Sequence, residues 1–240
     1  MTYTNSSLVS YTKLSPNHSG QRTHSIDRIT PHCVVGQCSV ETLGNVFLPK
    51  SRQASSNYGI GVDGRVGMYV EEKNRSWCSS SAANDQRAVT IECASDSKAP
   101  YAFKDVVYNK LIELCTDICK RNGKTRLLWL GDKDKTLGYT PAPDEMVLTV
   151  HRWFANKSCP GDWMYARMGD LAEKVTTALG GQASAPLDNA PAAWSKDAVN
   201  WALENRLLLG DANGDLKLRE NLTREQFCVM LKRYHDLLQK

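Results

Sequence analysis

The sequence contains no apolar run approaching the roughly 20 residues a membrane-crossing helix needs, so nothing in it reads as a span. Its first ten residues, Met1 to Ser10, are polar and lack the basic segment and apolar core of a secretion signal. That predicts a chain made and folded in the cytoplasm. Charge is not gathered into blocks. A net +4 over 240 residues does not call for nucleic acid, and favours at most a weak, salt-sensitive approach to a polyanionic surface. Histidine is scarce, with five in the chain, and there is no HExxH segment, which removes a common zinc-peptidase pattern. The eight cysteines show no repeated close pairs, so no zinc knuckle is implied. Without a secretion signal, reduced thiols are expected rather than a disulfide framework. Cys115 and Cys119, four apart in a helical stretch, read as small buried apolar residues.

What is present is an ordinary globular composition, 41% hydrophobic and 23% charged, long enough for one domain with a sizeable core and a small second module. Residues 1 to about 25 are rich in Ser, Thr and Asn and predict an irregular polar arm. Strands are expected within 26–36, 57–62, 65–70, 88–93 and 146–150, with Asp63-Gly64 as a hairpin turn. Between Phe103 and Asn122 the residues Val107, Leu111, Leu114 and Ile118 form one apolar stripe, and Gly123 supplies a helix stop. A second helix is expected over 164–179. Strands interleaved with helices predict an α/β domain over 1–180, a central mixed β-sheet flanked by helices. The Gly, Ala and Pro-rich stretch 181–193 predicts a linker, and 194–240 a two-helix module, its second helix opened by a Thr223/Gln226 capping box.

Chemistry concentrates in three residues. His32 follows the first of these strands, His151 follows the strand 146–150, and Cys159 comes eight residues later in HRWFANKSCPGDW. Two imidazoles and a thiolate suit zinc, and three protein ligands leave a fourth position open. Spacing alone also admits histidines that merely end strands at the surface or in the core.

Four ordered segments carry a resemblance: TPHCVVG (30–36), SSNYGIGVDGR (55–65), RSWCSSSAANDQRAVTIE (75–92) and TVHRWFANKSCPGDW (149–163). Over residues 25–180 the chain resembles the type 2 N-acetylmuramoyl-L-alanine amidases, a family that includes phage and bacterial amidases and the animal peptidoglycan recognition proteins. The whole chain looks like an endolysin of phage or prophage origin acting on Gram-positive walls. The resemblance implies the zinc amidase fold and Zn2+ held by His32, His151 and Cys159. It also implies hydrolysis of the bond between N-acetylmuramic acid and L-alanine by a zinc-activated water. Glu92 matches the family's acidic position and becomes the candidate general base, and Lys157, two before the third ligand, the candidate for stabilising the oxyanion. Some branches use a Tyr where this chain has Ser56, so Tyr58 is not given that role. Asn57, Trp77 and Asn84 are expected to meet substrate, while Tyr58 and Trp153 are expected to pack. The alternative within the same fold is a recognition protein that binds muropeptide without cutting it.

The segment WSKDAVNWALENRLLLGDANGDLKLRENLTREQFCVMLKRYHDLL resembles a single S-layer-homology motif. That implies binding to secondary wall polymers, self-association into a homo-oligomer, or docking. Peptidoglycan is the expected partner, with no nucleic acid and no membrane. DANGD (211–215) suggests a calcium loop, but the sixth and twelfth positions hold Leu216 and Leu222, so a turn is preferred.

Overall fold

The computed structural model describes residues 3–180, 189–210 and 214–239. The chain divides into two compact units, 1–183 and 184–240. The described residues of the first unit form nine strands and six α-helices: β1 (Val9–Thr12), β2 (His18–Gln21), β3 (Arg28–Cys33), α1 (Val40–Phe47), β4 (Tyr58–Ile60), β5 (Val66–Met68), β6 (Asn74–Ser76), α2 (Ala82–Arg87), β7 (Ala88–Cys93), α3 (Asp105–Arg121), β8 (Arg126–Leu128), α4 (Lys133–Gly138), β9 (Glu145–Leu148), α5 (Asp162–Tyr165) and α6 (Met168–Ala178). Seven strands form one sheet in the order β1-β5-β4-β7-β3-β9-β8, and β2 pairs with β6 in a separate ribbon.

The sheet is mixed, as expected from the interleaved pattern. β4, β7, β3, β9 and β8 run parallel, while β5 turns back against β4. That reversal is the Asp63-Gly64 hairpin, where Gly64 sits at φ +81, a left-handed conformation glycine adopts without Cβ strain. β3 and β7 lie in the middle of the sheet, and every residue of β3 is buried although Arg28, Thr30 and His32 are polar.

The stripe on α3 packs against the sheet together with α6. Val107, Leu111, Leu114 and Ile118 are all fully buried, each worth about 1.5–3 kcal/mol on a transfer scale. Gly123, at φ +67, ends the helix as its sequence suggests. Cys115 and Cys119 are buried, unpaired thiols on the same helix. α1 packs with β1, β4 and β5, and Leu43, Phe47 and Tyr69 make a smaller apolar cluster there.

Two expectations need correction. The polar N-terminal arm is not irregular: β1 adds a strand to the main sheet and β2 pairs with β6. Their hydrogen-bond partners lie some 50 residues away, which no local pattern reveals. The helix expected over 164–179 is broken, with α5 and α6 separated at Ala166-Arg167.

The second unit contains α7 (Lys196–Glu204) and α8 (Arg224–Leu238). α8 opens with the capping box of Thr223 and Gln226, each side chain bonded to the other residue's backbone. Residues 181–188 of the proposed linker, and 211–213 of DANGD, lie outside the described residues. No helix among the described residues is long and apolar enough to cross a membrane.

Candidate metal centre and cleft

The site lies at the carboxyl ends of parallel strands, where open α/β sheets generally place their ligands. His32 is the fifth residue of β3, and its register partner on β7 is Glu92. Paired positions on adjacent strands put both side chains on one face, roughly 4.8 Å apart at the backbone. His151 opens a one-turn 3-10 helix, His151–Trp153, beyond β9. That turn is anchored by Trp153, buried and stacked on Trp129 at 5.1 Å between ring centroids. The ligand loop is tied to it where Arg152 N donates to the Cys159 carbonyl at 3.1 Å.

Residues 32, 151 and 159 therefore converge. Their candidate ligand atoms lie within 4.8 Å of one another, the His32 and His151 rings are 5.1 Å apart, and Cys159 Sγ is 3.2 Å from His32 Nδ1. Burial and the neighbouring His151 hold the His32 imidazole well below its ordinary pKa. Burial and Lys157 lower that of His151. Both rings are thus kept in the neutral form that binds metal. The Cys159 thiol is pushed up, first by its hydrogen bond with Cys33 and then by burial, so in the metal-free protein it keeps its proton. A buried cation is what would release it.

This donor set fits zinc. Two nitrogens and one sulfur are the ligand chemistry of a three-residue zinc site with an open position. Ser80 Oγ lies 2.9 Å from His151 Nε2, a neighbour of the kind that fixes a ligand ring. Sequence reasoning gave Ser80 no role. It is brought to His151 by a loop whose Ser80 has φ +62.

Glu92 stands on the inner strand β7, not at a sheet edge, and makes no ion pair among the described residues. Burial raises its carboxyl to about 7. Its Oε1 accepts a long hydrogen bond from Cys78 Sγ at 3.8 Å, and its Oε2 is buried with no partner among the described residues. His32, Cys78 and Glu92 form a second close group of potential ligands that shares His32 with the first.

A cleft of about 550 Å³ opens beside this group, lined among others by Arg52, Arg75, Trp77, Glu92, His151 and Lys157. That volume falls in the range of sites that enclose small ligands. Trp77 is held by its indole N–H, which donates to Ser19 Oγ at 2.6 Å, and Arg75 donates to the same hydroxyl. The polar arm thus braces two residues of the cleft wall, a role its sequence did not suggest.

Two expected substrate residues are not brought to the cleft. Asn57 is fully buried. Its Oδ1 accepts from Arg22 and from the Thr90 backbone, and its amide donates to the Val70 carbonyl. Asn84 is likewise buried, donating to Thr30 and Ser79 and accepting from Thr149. Both amides are occupied by the scaffold, the general condition for burying a polar side chain. Tyr58 is fully buried and donates to Glu72 Oε1 at 2.6 Å, and Ser56 is also buried.

The sequence profile of the N-acetylmuramoyl-L-alanine amidase family matches residues 15–162. No curated protein matches the chain. Among solved structures, similar chains include a selenomethionine AmpD derivative, at 16% identity and TM-score 0.49, covering 72% of this chain and 99% of that one. Others are the endolysin amidase LysCS from Clostridium intestinale URNW, at 13% and 0.43, covering 72% and 98%, and the hydrolase AmiA of Staphylococcus aureus in complex with its ligand, at 12% and 0.47, covering 72% and 86%.

Proposed function

The chain belongs to the N-acetylmuramoyl-L-alanine amidase family, and we propose that it hydrolyses the amide joining N-acetylmuramic acid to L-alanine in peptidoglycan, with zinc as its cofactor. The observation that carries this reading is the convergence of His32, His151 and Cys159 beside Glu92 at the edge of the cleft, a carboxylate whose Oε2 has no partner among the described residues. His32, His151 and Cys159 would hold the ion. Bound zinc supplies Lewis acidity, bringing the pKa of an adjacent water to about 7 and polarising a carbonyl oxygen.

The remaining work belongs to side chains. Glu92 Oε2 takes the proton of the attacking water and returns it to the nitrogen of L-alanine as the carbon–nitrogen bond breaks. A carboxylate held within reach of both the water and the leaving nitrogen can do both in one cycle. Lys157 Nζ stabilises the negative charge that develops on the lactyl carbonyl oxygen. Trp77 offers an apolar face to the substrate from the wall of the cleft.

In the organism the proposed role is that of an endolysin or autolysin of phage or prophage origin acting on Gram-positive walls. The second unit, an S-layer-homology-like module, would add affinity for secondary wall polymers or join copies of the chain. The test is chemical. The purified chain should release free N-terminal alanine from such walls without new reducing sugar ends. A chelator should stop the reaction and added zinc restore it. New reducing ends, or turnover indifferent to chelation, would overturn the reading, and tight muropeptide binding without turnover would assign the chain to recognition instead.

A further inference from the structure

Cys78 stands inside the reactive group without a part in the chemistry above. Its sulfur lies 3.8 Å from Glu92 Oε1. The segment that carries it is rigidly held. Asp85 Oδ2 accepts from Cys78 N at 3.0 Å and from Ser79 N at 3.1 Å, while Trp77 N donates to Ser55 Oγ at 3.1 Å. Asp85 is itself buried, and its own backbone carbonyl accepts from Arg22. This bracing has a direction: it sets one thiol against one oxygen of Glu92 and leaves the other, Oε2, as the buried carboxylate atom with no partner among the described residues.

A carboxylate on a strand retains rotation about its last bonds, and a single donor on one oxygen fixes where the other oxygen points. We propose that Cys78 is a positioning residue: its S–H group holds Glu92 Oε1 and thereby presents Oε2 to the reacting water. The inference rests on the reading of Glu92 as proton carrier. It predicts that Cys78 acts on the chemical step and not on substrate affinity.

The test uses the full chain loaded with zinc and a soluble muramoyl peptide. Cys78→Ala should lower kcat about five- to tenfold, the scale of one lost weak hydrogen bond, with KM and zinc content unchanged. Cys78→Ser, which restores a donor, should recover most of the loss. Infrared difference spectra of wild type against Cys78→Ser isolate the Cys78 S–H stretch. Glu92→Leu should move that band toward the frequency of an unbonded thiol. An unchanged kcat in Cys78→Ala, a rise in KM or loss of zinc that accounts for the whole effect, or an S–H band indifferent to Glu92→Leu would each overturn the proposal. Full turnover in Glu92→Gln would instead defeat the role given to Glu92, whatever the band shows, so the two failures are distinct.

Discussion

The helices α3 and α8 are of similar length and both carry an apolar stripe, yet they meet opposite fates. On α3, Val107, Leu111, Leu114 and Ile118 are wholly buried. On α8, Phe227, Val229, Leu231 and Leu238 remain about half exposed or more. Trp194, ahead of α7, is 90% exposed, and Leu207 is the buried apolar residue that the described part of the second unit contributes. The difference lies in what each helix is offered. α3 has a seven-stranded sheet to cover, whereas α8 belongs to a unit of fewer than 60 residues with no strand among its described residues. An amphipathic pattern makes a helix possible, but burial against a partner supplies most of its stability. The first unit therefore carries its own core. The second keeps its local signals, such as the capping box, with these α8 side chains about half exposed or more.

The largest expected effect in the first unit is chemical. Glu92→Gln should reduce kcat on soluble muramoyl peptide by about 10²–10⁴-fold with zinc retained, measured by alanine release and metal analysis. Truncation after residue 183 should leave that soluble activity essentially unchanged while reducing sedimentation with intact walls. Equal losses on both substrates would break the contrast between the units. Next, Lys157→Met should lower kcat about 10²-fold, as removal of one oxyanion-stabilising group does, again without loss of zinc. Stability gives the smaller contrasts. Leu114→Ala should destabilise the first unit by about 2–5 kcal/mol in chemical denaturation. Leu231→Ala on α8 should stay within about 0.5 kcal/mol when the chain is dilute. A large effect of Leu231→Ala would show that its face is covered in solution, and its dependence on protein concentration would separate self-association from docking.

Much of this was legible beforehand where chemistry and pattern coincide. His32, His151 and Cys159 sit in distinctive segments, and the α3 stripe needs only local spacing. Short or polar elements were not legible. β2 is His-Ser-Gly-Gln, and only its pairing with β6 makes it a strand. α2 is six residues long with no apolar period. Its one local signal is the N-cap Ser81, whose side chain accepts from Asn84 N. That cap could have been read from the sequence. Asn57 and Asn84 look like exposed polar loop residues in sequence and are instead internal braces, because hydrogen bonds with distant backbone and side chains repay their burial.

The sequence by itself determined the donor types and their order, the α/β class and the main helix. Periodicity and residue chemistry are local properties, and they survive without coordinates. The tertiary structure alone decided that His32 and Glu92 stand side by side on adjacent strands, that Ser80 meets His151, and that Cys78 touches Glu92. It also set Ser19 of the polar arm behind Trp77 and Arg75 of the cleft wall. Each of these depends on strand register and loop path between residues far apart in the chain, and those are fixed only when the whole sheet forms.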